Sequence, residues 1–278
     1  MSTAVVQRPI SRIESTRDYP GDSQVNAKRI VVSFDAFERT DPFIMLAEDW
    51  FDRKGGFDTH PHRGFETVTF ALEGKIRHRD SKGNEGLLEP GDIQWMTAGR
   101  GILHSEIAEG EEQVHSLQLW LNLPASKKMV EPRYQDIKKE KIPVVPIEEG
   151  EVRVISGKFG DVLADTKHHH PVTLLDVALR PDGRTDISID PSYRIFVYVL
   201  EGEMKISGEQ VKAGKVVWFD PTDGESVIPF EAATDSRALL FAGPPINERI
   251  VQYGPFVMNT REEILQAFND FNSGTFGE

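Results

Sequence analysis

Two short triplets carry the side chains best suited to chemistry: His60-Pro61-His62 and His104-Ser105-Glu106. Along a β-strand, residues i and i+2 project from the same face, so each triplet directs a pair of donor groups into one space. Were the two strands neighbours lining one barrel, a pair of imidazoles would meet an imidazole and a carboxylate. That set suits one divalent first-row ion: Fe(II), Mn(II), Ni(II), Cu(II) or Zn(II). On a six-coordinate ion it leaves about two positions for water, substrate or dioxygen, which makes such a site reactive rather than purely structural. The chain has no cysteine. Disulfides, iron–sulfur clusters and thiol nucleophiles are therefore excluded, and any metal must be held by histidine and carboxylate. Glu66 leaves the fourth donor open. It shares strand parity with His60 and His62 and completes an H-x-H-x3-E pattern. It thus competes with Glu106 for the ligand role, or accepts a hydrogen bond from a ligand imidazole. Its plainer reading is an ion pair with Arg63 or Arg100.

Other residues compete less strongly. Val114-His-Ser-Leu-Gln-Leu-Trp120 reads as a core strand on which His115 and Gln118 have opposite parity, so at most one faces the cavity. Gln118 is placed there as a pocket hydrogen-bond donor, and His115 is left structural or supporting. Phe57, just before the first triplet, is placed at the cavity mouth. His78 follows the Gly74 turn and reads as exposed or packing. Histidines 168–170 form a polar run accompanied only by Asp165, and read as solvated. Gly99-Arg100-Gly101 lacks the Lys-Ser/Thr that completes a phosphate loop. Ser105, between two donors, points away from them, which argues against a serine nucleophile.

The elements that must hold these groups are mostly strands. Runs rich in Val, Ile, Phe and Thr at 30–34, 67–72, 116–123, 152–155, 172–179, 195–200, 216–219 and 238–242 are separated by Gly, Pro and Asp. Helical periodicity is clear only near the end. Thr260 can cap a helix, Glu263 completes a capping box, and Ile264, Leu265, Phe268 and Phe271 supply an apolar stripe. An internal repeat is also present. Phe70-Ala-Leu-Glu-Gly74-Lys-Ile-Arg77 parallels Tyr198-Val-Leu-Glu-Gly202-Glu-Met-Lys205, offset by 128 residues. Leu88-Glu-Pro-Gly91-Asp-Ile-Gln-Trp95 parallels Val211-Lys-Ala-Gly214-Lys-Val-Val-Trp218, offset by 123. Each copy reads strand, glycine turn, strand, glycine turn, strand, the rhythm of a small antiparallel barrel or jelly roll.

A length of 278 residues is more than one compact core usually requires, and duplication accounts for it. The charged, Pro-punctuated segment 127–150 is the expected crossover, dividing the chain into 1–145 and 146–278. Carrying the offsets over places Ser188 and Asp190 opposite His60 and His62, and Val227 and Pro229 opposite His104 and Glu106. The second copy lacks the donors, so one metal ion per chain is expected. A net charge of −13 repels phosphate backbones and anionic lipid, so neither nucleic acid nor a membrane surface is an expected direct partner. No run approaches the roughly 20 apolar residues that span a bilayer. The opening MSTAVVQRPISR lacks a signal-peptide core. A cytoplasmic protein is expected, or a nuclear one if the host is eukaryotic.

His60-Pro-His-Arg-Gly-Phe-Glu-Thr-Val-Thr69, followed by Leu72-Glu-Gly74, resembles the first motif of the cupins and, more narrowly, of the pirin family. Gly91-Asp-Ile-Gln-Trp-Met-Thr-Ala-Gly-Arg-Gly-Ile-Leu-His-Ser-Glu106 resembles the pirin version of the second motif. Segments 114–123, Lys128-Met-Val-Glu-Pro132 and Tyr253-Gly-Pro-Phe-Val-Met-Asn-Thr-Arg-Glu-Glu263 resemble pirin segments as well. The resemblance runs from about Asp41 to the C-terminus and is weakest across 161–194. It implies a mainly β fold of two tandem cupin (jelly-roll β-barrel) domains with a short C-terminal helix. The N-terminal barrel would hold one metal, usually iron. It also implies Glu106 as the ligand beside His60, His62 and His104, with Glu66 in support, although the generic cupin pattern would choose Glu66. The implied activity is that of a quercetin 2,3-dioxygenase, a metal-dependent ring cleavage of a flavonol-like aromatic by dioxygen, with Glu106 as general base. The alternative it implies is a non-enzymatic regulator that senses metal or redox state and acts through a protein partner.

Overall fold

The computed structural model describes residues 6–278, so the signal-peptide reading lies partly outside the described residues. The chain divides into two units that are not contiguous in sequence. One is built from Arg17–Lys139 and Ile246–Glu278; the other takes Glu140–Pro245 together with the described residues up to Thr16. This corrects the linear division at 145/146: the crossover falls near 140, but each terminus belongs to the other unit. The reason lies in backbone pairing and packing. Arg12–Ser15 hydrogen-bonds to Lys215–Phe219, and Val6–Gln7 runs parallel to Ser226–Ala232. At the other end, Val257 packs with Ile44 and Phe65.

The first barrel contains β1 (Arg17–Pro20), β2 (Ala27–Val32), β3 (Phe43–Phe51), β4 (Gly56–His62), β5 (Phe65–Glu73) and β6 (Lys75–Asp80). It continues with β7 (Glu85–Leu88), β8 (Ile93–Thr97), β9 (Ile102–Glu109), β10 (Val114–Asn122) and β11 (Arg133–Ile137). One sheet has the order β11-β8-β5-β10-β3-β2-β1, the other β4-β9-β6-β7. The central strand β5 is rich in aromatic and β-branched residues and is buried on both faces along most of its length, as a strand covered on both sides must be. Gly74 ends it with φ +67, and a Cβ there would lie 2.5 Å from the Gln113 carbonyl oxygen. Only glycine fits that turn.

The second unit repeats this plan, with Val6–Gln7 added to its smaller sheet. Its larger sheet orders Arg12–Ser15, Lys215–Phe219, Arg194–Glu201, Ser236–Gly243, Thr173–Leu179, Gly150–Ser156 and Val144–Ile147. In its smaller sheet Ser226–Ala232 lies between Arg184–Ser188 and Glu203–Ile206. The register corrects the positional equivalences drawn from the repeat. Glu106 pairs with His78 where Phe230 pairs with Ile206, and His104 pairs with His60 where Ile228 pairs with Ile187. The metal triplets therefore correspond to Ile187, Ile228 and Phe230, one residue away from the positions given by the fixed offsets. A slip of one along a strand changes the face presented. These apolar side chains fill the second barrel, packed with Ile189, Ile206 and Met204. Each buried side chain of this size contributes about 1.5–3 kcal/mol.

Near the C-terminus, Thr260 and Glu263 form the expected capping box of a helix, α1 (Arg261–Ser273), which stops at Gly274 in the left-handed conformation. Ile264 and Ala267 are its buried face, against Phe256 and Met258. Leu265 and Phe271, expected in the apolar stripe, are exposed. No helix among the described residues is long and apolar enough to cross a membrane.

Candidate metal centre

Strands β4 and β9 lie side by side, antiparallel, with His104 opposite His60 and Ile102 opposite His62. This register converges the imidazoles as strand parity requires. His60 Nε2 lies 3.0 Å from both His62 Nε2 and His104 Nε2. Ligand nitrogens of all three residues fall within 4.8 Å of one another. His62 and His104 are buried and His60 is half-buried.

The opposite ring nitrogens face outward. His60 Nδ1 lies 2.7 Å from the Asp58 carbonyl oxygen, His62 Nδ1 3.5 Å from the Pro255 carbonyl oxygen, and His104 Nδ1 3.0 Å from His78 Nε2. With the ring proton on Nδ1, each Nε2 presents a lone pair to the others, and no donor lies between them. A cation resolves that arrangement. Two nitrogens about 2.1 Å from a shared ion and at right angles lie about 3.0 Å apart, so the donor set fits a six-coordinate first-row ion. Burial holds His62 and His104 well below the usual histidine range; His60 adds to that for both, and His62 and His78 add to it for His104. They are thus neutral, the form that ligates.

Glu106 lies on the same face of β9 as His104 but outside the three-nitrogen cluster. Its Oε1 accepts from Thr69 Oγ1 at 2.8 Å and its Oε2 from Gln118 Nε2 at 2.5 Å. Gln118 therefore faces the cavity, and its Oε1 accepts from Trp120 Nε1. Phe65 and Trp120 pack at 4.3 Å, each 5.0 Å from the His62 ring. Phe57 stands 6.3 Å from the His60 ring.

Glu66 is elsewhere. It pairs with Thr97, whose hydroxyl donates to its Oε1 at 2.6 Å, and its cationic neighbour is Arg133 at 3.9 Å rather than Arg63 or Arg100. Arg63 instead binds Asp270 and the Arg100 carbonyl oxygen. His115 lies on the outer face, 2.6 Å from Glu48 and stacked on Trp50. Among histidines 168–170, His170 lies 2.7 Å from the Pro244 carbonyl oxygen.

Sequence reasoning gave no role to two buried groups. His78, expected to be exposed or packing, is fully buried, meets His104 and stacks on Tyr134. Burial raises the Tyr134 phenol, with Asp136 adding to it, so the hydroxyl stays protonated; it accepts from Gln94 at 2.8 Å. Asp49 is also buried and pushed up to about 6, chiefly by burial and partly by the nearby Glu106. A signal for His78 was present in the alternation of Ile76, His78 and Asp80 with Arg77 and Arg79, which gives His78 the inward parity.

Residues 14–121 match the family model for pirin, and residues 174–277 match that for the pirin C-terminal cupin domain. Pirin-1 of Arabidopsis thaliana is 43% identical over 241 residues, covering 85% of this chain and 84% of that protein. The crystal structure of a quercetin 2,3-dioxygenase from Acinetobacter baumannii superposes with a TM-score of 0.91 at 32% identity, covering 98% of this chain and 99% of that one. A bacterial pirin from Escherichia coli in complex with nickel(II) gives a TM-score of 0.70 at 25% identity, covering 84% and 99%. With these matches across both barrels, the chain belongs to the pirin family.

Proposed function

We propose that this chain is a metal-dependent dioxygenase that opens the ring of flavonol-type substrates. The observation that supports it most is the convergence of three imidazole Nε2 atoms in the first barrel, beside a carboxylate held by two donors. The relative described as a quercetin 2,3-dioxygenase supplies the substrate class. His60, His62 and His104, with Glu106, would hold one divalent ion; iron is our first choice, and nickel is the ion in the Escherichia coli relative. A bound ion of this kind lowers the pKa of a substrate hydroxyl and offers a position to dioxygen.

The protein's own residues supply the remaining parts. Glu106 accepts the flavonol hydroxyl proton as general base, converting the substrate to its electron-rich anion. Thr69 and Gln118 aim the carboxylate, since each of its oxygens is fixed by one of them. Phe65 and Trp120 form an apolar wall beside His62 that keeps water from the anion. Phe57 closes the side next to His60.

The test uses the full chain loaded with Fe(II), following quercetin loss and carbon monoxide release. Turnover above about one per minute supports the reading. A metal-replete chain that releases no carbon monoxide overturns it and leaves the regulator class. Glu106→Gln should keep the fold and lose at least about 100-fold in turnover; full activity would remove Glu106 from its role.

A further inference from the structure

Lys28 pairs with Asp49 across β2 and β3, and Asp49 pairs with Ser116 across β3 and β10. Directly opposed residues share a face. These three therefore form a row on the inner face, adjacent to the row of Ala47, Gln118 and Thr69. Two members of that second row are the donors to Glu106. Lys28 Nζ lies 3.5 Å from Asp49 Oδ1 and 5.5 Å from the Phe57 ring centroid. Because β2 and β4 belong to different sheets, the Lys28–Phe57 contact spans the gap between them beside His60.

The pair is unequal. Asp49 is 2% exposed, and its Oδ1 meets the Lys28 ammonium at 3.5 Å, long for a hydrogen bond. Lys28 is 36% exposed, so its ammonium is in reach of solvent while Asp49 is not. A buried carboxylate oxygen held by one long contact is under-satisfied, and a ligand hydroxyl would relieve it. A free carboxylate ligand on Lys28 would be repelled by Asp49, and a lone phenol would use only half of the pair. Adjacent hydroxyls use both.

We propose that Lys28 and Asp49 form a specificity subsite that reads a vicinal diol on an aromatic ring. One hydroxyl donates to Asp49 Oδ1, the neighbouring oxygen accepts from Lys28 Nζ, and the ring lies against Phe57. The inference rests on the reading of the first barrel as a flavonol site.

The experiment measures binding to the metal-loaded full chain without oxygen, using quercetin, galangin (the same flavonol without the two ring hydroxyls) and catechol. The native chain should favour quercetin over galangin by about tenfold or more. Lys28→Met and Asp49→Leu should each bring that ratio close to one, with thermal melts reporting the fold; if Asp49→Leu does not fold, Lys28→Met decides. A native ratio near one, or a ratio unchanged in Lys28→Met, overturns the subsite and leaves the flavonol reading standing. If neither flavonol binds, the flavonol reading fails and catechol judges the subsite. Catechol binding that falls in the variants keeps it; catechol binding that does not fall, or is absent, overturns it.

Discussion

Replacing His78 by leucine should weaken metal binding beyond its effect on the fold. Metal binding through His104 Nε2 requires the proton on Nδ1, and the partner of that Nδ1 is His78 Nε2 at 3.0 Å. His78 is 0% and His104 1% exposed, so water does not replace a lost acceptor. Losing the partner of a ligand histidine's other ring N–H costs about 10- to 100-fold in metal affinity, or about 1.4–2.8 kcal/mol at about 1.4 kcal/mol per decade. In the metal-free chain no ion depends on that acceptor, and His104 can move its proton to Nε2 and donate to His60 Nε2 at 3.0 Å. What remains there is a bare His104 Nδ1 and the lost stacking on Tyr134, the stacking worth about 0.5–1.5 kcal/mol. Competition against a chromophoric chelator reads the affinity, and melts of the metal-free chains read the fold. His78→Gln restores an acceptor and should recover much of the loss. Equal metal affinity in His78→Leu and the native chain would refute the reasoning.

Two further outcomes follow from buried charge. Lys128 Nζ donates to the Gly64 and Val257 carbonyl oxygens and to Asn122 Oδ1 at 2.7–3.0 Å, while burial pushes its ammonium down to about 7. Lys128→Met orphans those acceptors and should cost about 2–4 kcal/mol in a denaturant titration, and native-like stability would count against it. On acidification, the unfolded chain protonates His62 and His104 near 6.5 while the folded chain does not, so metal-free stability falls below that pH. Asp49, raised to about 6 from 3.8, opposes this, because between those values the folded chain holds the extra proton. With a pair of imidazoles against a single carboxyl, melting temperature should fall from about pH 6.5 to about pH 5; a flat or rising profile would contradict the burial argument.

The convergence of His60, His62 and His104 was legible because strand parity is a local property. Glu66 was ambiguous because parity was counted through a break. β4 stops at His62, Gly64 has φ +90, and β5 begins at Phe65, so the alternation does not carry across. His78 was hidden among charged neighbours, Arg77 and Arg79, whose outward faces dominate the local composition. Its role depends on the β6–β9 register, which no local pattern contains. The duplication was legible from its glycine turns, Gly74 and Gly202, both with positive φ. The positional equivalences slipped by one because a fixed offset ignores how each copy spaces its strands. The exchange of termini was illegible for a similar reason: a linear reading does not show which barrel edge captures a segment.

Anomalous diffraction at the metal edge, from crystals of the metal-loaded chain, tests the central claim most directly. The account predicts one peak per chain, bonded to Nε2 of His60, His62 and His104 and to an oxygen of Glu106. A peak at histidines 168–170 or in the second barrel, or none near the three imidazoles, would contradict it.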